Sequence, residues 1–138
     1  MRLPFATPSQ ITKQLVDSSQ QLLETERRFG VPFRLEMIAR GFLMTMMDNY
    51  QTCTWQFWGL SNGGCYVSPQ SKQVYHLIGE NKSVSADAAG LICSLQSFSF
   101  LSFALDLGVA EKYDSHYSLL LAFIHEHPEA LAILDTTR

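Results

Sequence analysis

The stretch from Trp55 to Pro69, which reads WQFWGLSNGGCYVSP, constrains the fold of this chain more than any other. Apolar residues flank Ser-Asn-Gly-Gly on both sides. Asn62-Gly63 is the dipeptide that a two-residue type I′ turn favours, because both central residues of that turn need positive φ. We therefore predict an antiparallel hairpin with three opposite pairs: Leu60 with Cys65, Trp58 with Val67, and Phe57 with Ser68.

This register predicts a hairpin with two apolar faces, since successive side chains of a strand alternate between faces. One face would carry Trp55, Phe57 and Tyr66, and the other Trp58, Leu60, Cys65 and Val67. Either both faces are covered or one is a docking surface. A phosphate-binding loop is the competing interpretation, but it requires glycines that lead into a helix. Here the glycines lead into CYVSP, so the hairpin is favoured.

Helix-start and helix-stop signals organise the first half of the chain. Thr7-Pro8-Ser9-Gln10 predicts a helix start, and Gly30 with Pro32 predicts its end. The apolar stripe of this helix is Ile11, Leu15, Leu22 and Leu23. A second helix is predicted from about Leu35 to Asp48, with inward residues Met37, Ile38, Phe42, Leu43, Met46 and Met47. Residues rich in β-formers predict a strand over Val74 to Ile78 and a short one near Val84.

In the second half, Ser85 predicts a helix cap with Asp87 in the first turn, where a carboxylate is favoured. This third helix runs to Gly108 and is apolar on nearly all sides, which predicts the central core helix. A fourth helix covers about Ala110 to His127, with inward Tyr113, Tyr117, Leu120, Leu121 and Ile124. Pro128-Glu129 opens a short last helix. The predicted fold class is α+β: a small antiparallel meander of three to four strands with helices packed around it, in a single domain covering 1–138.

Composition argues against several function classes. The net charge of −3 is too small for a nucleic-acid clamp, and we expect no strong specific DNA binding. The longest apolar stretch, LICSLQSFSFLSFALDL, is interrupted by serines, a glutamine and an aspartate, so we expect no membrane association. The first ten residues lack a secretory apolar region. Three cysteines, an odd count, suit thiols in a reducing compartment. These features predict a cytoplasmic protein.

Candidate chemical groups are few. His116, His125 and His127 lack the spacing of four residues that places a metal-binding pair on one helix face, so we expect neither metal nor cofactor. Cys65 with His76 as base would be a nucleophile, but nothing in the sequence lowers the thiol pKa, and a packing role is favoured. A small hydrolase using His116, His125 or Glu126 therefore remains a minor alternative.

A basic segment, Arg27 to Arg40, holds four of the ten lysine and arginine residues of the chain. Glutamates at 24, 26 and 36 are interleaved with these arginines, which favours a solvated salt-bridged face. The alternative is a DNA-binding module that uses this segment, with Trp55 or Trp58 as a stacking platform.

Three stretches together resemble the ArdB/KlcA family of antirestriction proteins: WQFWGLSNGGCYVSP, SADAAGLI and FIHEHPEALAIL. Their order and spacing are similar to those of the family from about Phe29 to Leu134. Three features depart from the family pattern. They are Trp58-Gly59, where tyrosine and a residue such as glutamate are expected, Cys65, where an aromatic is usual, and YQTCTW, which is less glycine-rich.

The resemblance implies a small α+β protein of plasmids and other mobile elements that relieves type I restriction of incoming unmodified DNA. Other antirestriction proteins imitate DNA with dense carboxylates, but the thirteen acidic residues here are scattered among ten basic ones. We therefore expect a protein–protein mechanism without catalysis, with a type I restriction–modification enzyme or an associated host factor as partner. The expected contact residues are Trp58, Asn62, Gly63, Gly64, Tyr66 and Asp87, although turn and cap roles explain Asn62, both glycines and Asp87 equally well.

Overall fold

The computed structural model describes residues 10–104 and 107–137. The strands in these residues are β1 (Lys13–Val16), β2 (Trp55–Leu60), β3 (Cys65–Pro69), β4 (Tyr75–His76) and β5 (Ser83–Val84). The helices are α1 (Gln21–Phe29), α2 (Leu35–Met46), α3 (Ala86–Ala104), α4 (Leu107–His125) and α5 (Ala130–Thr137), and a 3₁₀ turn at Ser18–Gln20 precedes α1.

The strands form two separate antiparallel sheets. The larger has the order β1-β2-β3, and β4 pairs with β5 in the smaller. Helix α3 packs against β3, α2 and α4, so it lies at the centre of the fold. This arrangement confirms the predicted α+β class with a small antiparallel sheet surrounded by helices. The short strands predicted within Val74 to Ile78 and near Val84 are confirmed as β4 and β5.

The first predicted helix is wrong over its first half. Thr7 to Ser9 lie outside the described residues, and Lys13–Val16 forms β1 against β2 instead of a helix. Strand pairing overrides the helical spacing of the apolar residues here, because β2 offers backbone partners that the local pattern does not reveal. The predicted end is confirmed: Gly30 has φ +89° and donates its N–H to the Glu26 carbonyl at 2.8 Å.

The hairpin is confirmed, but its predicted register is wrong by one residue. Leu60 N–H donates to Gly64 O at 2.8 Å, which leaves a three-residue loop in which Gly63 has φ +94°. Such loops need only one left-handed residue, so no positive φ is required of Asn62. The observed pairs are Gly59 with Cys65, Trp58 with Tyr66, Phe57 with Val67, Gln56 with Ser68, and Trp55 with Pro69.

The shifted register exchanges the two faces of β3 relative to β2. Tyr66 lies on the face of Trp58, whereas Cys65 and Val67 lie on the face of Phe57. Both predicted side-chain sets for the hairpin are therefore corrected. Trp58 and Tyr66 are therefore neighbours on one face of the sheet.

Burial within the helices departs from the predictions in α1 and α2. Leu22 and Leu23, predicted in the apolar stripe of the first helix, are 43% and 57% exposed, and α1 buries Thr25 and Phe29 instead. Helix α2 buries Leu35, Ala39 and Leu43, but Met37 is 61% exposed and does not belong to its inward face. In α4, Tyr113, Leu120 and Ile124 are buried as predicted. The Ala86–Phe103 window of α3 is long and apolar enough to cross a membrane, and 67% of it is buried inside the protein. Helix α3 is thus placed as a core helix.

Candidate functional site

Asp87 is the centre of the candidate site. It follows Ser85, whose Oγ accepts the Ala88 N–H at 3.1 Å and caps α3. The carboxylate of Asp87 therefore lies at the positive end of the helix, where it is favoured. This confirms the predicted cap and first turn.

Three side chains from distant parts of the chain donate hydrogen bonds to Asp87. Its Oδ1 accepts from Tyr66 Oη at 2.6 Å and from Lys13 Nζ at 3.1 Å. Its Oδ2 accepts from His127 Nε2 at 2.8 Å. The carboxylate thus joins β1, β3, α3 and the corner between α4 and α5.

The proton position on His127 follows from its second partner. Its Nδ1 accepts the Glu129 N–H at 3.0 Å, so Nδ1 carries no proton in this arrangement. The proton is on Nε2, which donates it to Asp87. Both ring nitrogens are therefore engaged, and neither is free to accept a proton from a substrate.

The surroundings of Asp87 set its ionisation. Burial works to raise the pKa of its carboxyl, but hydrogen bonds from His127 and Tyr66, together with the Lys13 ammonium, outweigh it and lower the pKa to about 2. Burial, and then the Asp87 charge, raise the pKa of the Tyr66 hydroxyl above its ordinary value. Asp87 is thus ionised and Tyr66 is neutral at physiological pH.

Trp58 extends this group toward the surface. Its ring stacks on that of Tyr66 with centroids 6.5 Å apart, and its Nε1 donates to Ser68 Oγ at 3.0 Å. Lys13 Nζ lies 4.1 Å from the Trp58 ring centroid, within the range of a cation–π contact. We call Lys13, Trp58, Tyr66, Asp87 and His127 the Asp87 cluster. Tyr66 is fully buried, whereas Trp58 is partly exposed.

A groove of about 340 Å³ runs beside the Asp87 cluster. It combines an aromatic and aliphatic floor with both signs of charge. Its lining residues are Gln10, Ile11, Lys13, Asp87, Phe123, Glu126, His127 and Pro128. The groove offers apolar contact area beside charged side chains that are hydrogen-bonded within the protein.

The remaining predicted contact residues, Asn62, Gly63 and Gly64, lie at the hairpin tip and outside the Asp87 cluster. Asn62 Nδ2 donates to Leu119 O at 2.9 Å, and its Oδ1 accepts the Gly64 N–H at 2.9 Å. Arg28 Nη1 donates to the carbonyls of Gly63 at 2.5 Å and Gly64 at 2.9 Å. A Cβ on Gly64 would lie 3.1 Å from Leu119 Cβ, so a side chain would crowd α4. These contacts give the three tip residues a structural role in holding the turn. Their contact with a partner stays a prediction.

The structure therefore brings together Trp58, Tyr66 and Asp87 and adds Lys13 and His127, two candidate site residues that the sequence does not predict. The sequence predicts a helix around Lys13, and a helix would not place it beside Tyr66 and Asp87 as β1 does. His127 was weighed only as a metal ligand. A signal for His127 was present, because Tyr66, Asp87 and His127 each lie in one of the three family-like stretches.

The other chemical candidates have packing or structural roles. Burial, with the Arg28 charge, lowers the pKa of His116 to about 4, and its ring lies 4.3 Å from that of Phe29. Burial raises the pKa of the Cys65 thiol to about 12. His76 Nδ1 lies 2.6 Å from Ser83 Oγ, so its polar contact is within the small sheet. Across residues 10–104 and 107–137, no three potential metal-binding side chains cluster.

The basic segment is largely engaged in internal ion pairs. Glu24 pairs with Arg27 at 2.6 Å and with Arg28 at 3.1 Å. Arg34 lies 3.8 Å from Glu36. The predicted salt-bridged face is confirmed for these three arginines.

Comparison with known proteins decides the family. The sequence profile of the family described as "Antirestriction protein" matches residues 48–137, which include Trp58, Tyr66, Asp87 and His127. This chain belongs to the antirestriction protein family.

Individual antirestriction relatives match over nearly the whole chain. Two proteins of Escherichia coli named "Antirestriction protein KlcA" are 29% and 30% identical to it. The first alignment covers 89% of this chain and 92% of the relative, and the second covers 91% and 92%.

A solved structure of this antirestriction family also has the same fold. It superposes with a TM-score of 0.83 at 27% sequence identity and covers 97% of this chain and 100% of the other. That work describes the KlcA and ArdB proteins as having a novel fold and antirestriction activity against type I DNA restriction systems in vivo but not in vitro.

Proposed function

We propose that this chain relieves type I restriction of incoming unmodified DNA and does so in the cytoplasm. The observation that carries the proposal is the match of fold over 97% of the chain to a relative with that activity in vivo. Family membership supports the same function over residues 48–137.

We propose further that the mechanism is protein–protein contact rather than DNA mimicry. A DNA mimic needs free carboxylates spaced like phosphates, whereas four of the thirteen acidic groups here are engaged internally. Glu24 holds two arginines, and Asp87 accepts three side-chain donors. Glu129 accepts the Ser85 N–H at 3.0 Å, and Glu126 accepts the Ile11 N–H at 2.8 Å. These carboxylates stabilise the fold instead of forming a regular anionic array.

The same geometry favours a binding protein over an enzyme. A general base needs a free lone pair within reach of a substrate proton. His127 uses both nitrogens inside the protein, and Tyr66 is neutral and fully buried. The hydrolase alternative has less support at two of its three residues: His116 packs against the rings of Phe29 and Phe98, and the Glu126 carboxylate accepts the Ile11 N–H.

The contact surface we propose is the exposed part of the Asp87 cluster and its groove. Trp58 supplies a partly exposed aromatic ring whose position is held by Tyr66, Ser68 and Lys13. Aromatic anchors of this kind often carry much of the binding energy of an interface. The partner is a type I restriction–modification enzyme or an associated host factor. The activity of the structural relative in vivo but not in vitro favours a factor that purified assays lack.

The test is survival of unmodified phage in cells with an active type I system. Wild-type protein is expected to raise plating efficiency, and Trp58→Ala is expected to reduce that protection by at least about tenfold, since anchor aromatics contribute 2 kcal/mol or more. Met37→Ala is the matched control, because Met37 is an exposed apolar residue on α2 outside the groove. It should protect like wild type.

Circular dichroism and immunoblotting must show that each variant is folded and equally abundant. Plating efficiency that stays at the restricted level with abundant wild-type protein contradicts the function. Equal protection by wild type and folded Trp58→Ala leaves the function standing and contradicts the contact surface.

A further inference from the structure

The hairpin tip carries a dipeptide that can react with itself. Asn62 is followed by Gly63, which has no Cβ to shield its backbone nitrogen. Once hydroxide removes the proton of this nitrogen, it can bond to Asn62 Cγ and form a succinimide. The Nδ2 group takes up a proton from water and leaves as ammonia. Water then opens the ring at either carbonyl and leaves aspartate or isoaspartate, so the whole reaction consumes one water and releases one ammonia.

This dipeptide is the one place in the sequence where the reaction is unhindered. The other two asparagines, Asn49 and Asn81, are followed by tyrosine and lysine, whose side chains shield the attacking nitrogen. In the structure, Gly63 is exposed and Asn62 is partly exposed. Hydroxide and water therefore reach the reacting atoms in the folded protein.

Hydrogen bonds of the folded hairpin oppose the reaction. The Gly63 N–H donates to Leu60 O at 3.0 Å, and this bond must break because a succinimide nitrogen carries no hydrogen. Asn62 Nδ2, the group that leaves, donates to Leu119 O at 2.9 Å. Asn62 Oδ1 accepts the Gly64 N–H at 2.9 Å, which fixes the orientation of the side chain. Ring closure thus removes two hydrogen bonds that hold the turn and join it to α4.

Arg28 adds a second restraint. Its Nη1 donates to the carbonyls of Gly63 and Gly64 at 2.5 and 2.9 Å, and its Nε donates to Glu24 Oε1 at 3.1 Å. The Arg28 side chain is only 14% exposed. Because Glu24 holds Arg28 in turn, the main chain that follows the Gly63 nitrogen is restrained against the movement that ring closure requires.

We propose that Asn62-Gly63 is a deamidation site that the folded hairpin keeps unreacted, and that it reacts when the tip separates from Arg28 and α4. The conversion is irreversible, since ammonia is lost. The modified residue therefore accumulates in molecules whose hairpin has opened. This site is independent of the proposed antirestriction function.

The product holds the tip less tightly than asparagine does. A carboxylate at position 62 has no N–H to donate to Leu119 O and places an acceptor against an acceptor. Isoaspartate also passes the main chain through the side-chain carbon, which lengthens the loop between Leu60 and Gly64. Deamidation of one molecule thus favours further opening of its hairpin.

Peptide mapping of the full chain measures the protection. Wild type is incubated at mildly alkaline pH, either folded or denatured in guanidinium chloride, and deamidation is followed by mass spectrometry of the tryptic peptide 41–72. The folded chain should react at Asn62 at least about tenfold more slowly, since the rate then follows the small population of open forms. Asn49 lies on the same peptide and is the internal control. In the denatured chain it should react more slowly than Asn62.

Two arginine variants test the restraint at the tip. Arg28→Ala should speed deamidation of the folded chain at least about threefold, because it raises the population of open hairpins. Arg27→Ala is the matched control, since Arg27 also pairs with Glu24 but is exposed, and it should react like wild type. Circular dichroism must show both variants folded. Arg28→Lys keeps the charge beside Glu24 with a shorter side chain, and it replaces Arg28→Ala if alanine unfolds the protein.

The effect of the product is measured with Asn62→Asp. This variant should lower the melting temperature by about 2 to 5 °C, the shift expected for the loss of one hydrogen bond in a chain of this size. Asn81→Asp, at an exposed position, is its control and should melt like wild type.

Equal rates at Asn62 in the folded and denatured wild type would overturn the proposed protection. Equal rates in the folded Arg28 and Arg27 variants would contradict the restraint by Arg28. An unchanged melt of Asn62→Asp would show that the product does not loosen the tip.

Discussion

At the scale of single residues, Asp87 holds the side chains of the candidate site in place. Its carboxylate accepts from Tyr66, Lys13 and His127, which come from three separate elements. Buried donors that lose an acceptor pay a desolvation cost that their native hydrogen bonds avoid. The Asp87 carboxylate therefore stabilises the side chains that surround Trp58.

Asp87→Asn should lower the free energy of unfolding by about 2 kcal/mol at pH 7, the range for hydrogen bonds to a charged group. The amide loses the charge that attracts Lys13, and it either opposes an N–H₂ group to the His127 Nε2–H or withdraws an acceptor from Tyr66. Asp114→Asn, at an exposed position on α4, is the control and should change stability by less than about 0.5 kcal/mol. Urea denaturation measures both variants.

The effect should depend on pH in a defined direction. The pKa of Asp87 in the folded protein is about 2, below its ordinary value of 3.8. The unfolded chain therefore binds the proton more readily, and the stabilisation is complete above about pH 4 and is lost as pH falls toward 2. Wild type and Asp87→Asn should converge across that window. A constant difference would contradict the assigned ionisation.

At the scale of elements, the contact between α3 and β3 holds the cluster in place. Gly90 allows the helix to approach the strand, because a Cβ there would lie 2.4 Å from Ser68 Cβ and 2.5 Å from Val67 O. Ser94 bonds the same stretch of β3 one helical turn later. The absence of a side chain at Gly90 thus allows the close approach of α3 to β3 that places Asp87 beside Tyr66.

Gly90→Ala should destabilise the protein by about 2 kcal/mol or more, since a methyl group cannot fit without moving backbone. Gly41→Ala is the matched control in α2, where a Cβ meets nothing within 4 Å. It should stabilise by about 0.5 to 1 kcal/mol, because alanine favours a helix over glycine. Thermal melts followed by circular dichroism compare the two, and equal melting temperatures would refute the close approach.

At the scale of the whole molecule, several charged side chains have their partners within the protein. Arginines of the basic segment bind Glu24 and the hairpin carbonyls, and the net charge of the chain is −3. A protein that neutralises few phosphates gains little from counterion release. The molecule as a whole is thus a poor ligand for DNA.

We expect no sub-micromolar binding to duplex or single-stranded DNA at physiological salt, as measured by fluorescence anisotropy. Wild type is compared with Arg27→Ala, which removes an exposed arginine that pairs with Glu24. Both should show equally weak signals. Tight binding that falls steeply with salt and with Arg27→Ala would instead support the DNA-binding alternative.

Local signals determined several features from sequence alone. Gly30 ends α1, Ser85 caps α3, and Gly63 takes positive φ in the hairpin. Each depends on residues within about four positions, which is why caps and turns can be predicted. The α+β class followed from the order of these signals, and the three family-like stretches indicated the family.

Only the tertiary structure decided β1, the hairpin register and the Asp87 cluster. Lys13 and Asp87 are separated by 74 residues, and Asp87 and His127 by 40. A one-residue change of register placed Tyr66 beside Trp58, and no local preference distinguishes the two registers strongly. Such contacts depend on how distant elements pack, because the free energy that selects them comes from burial and hydrogen bonding between segments that do not adjoin in the chain.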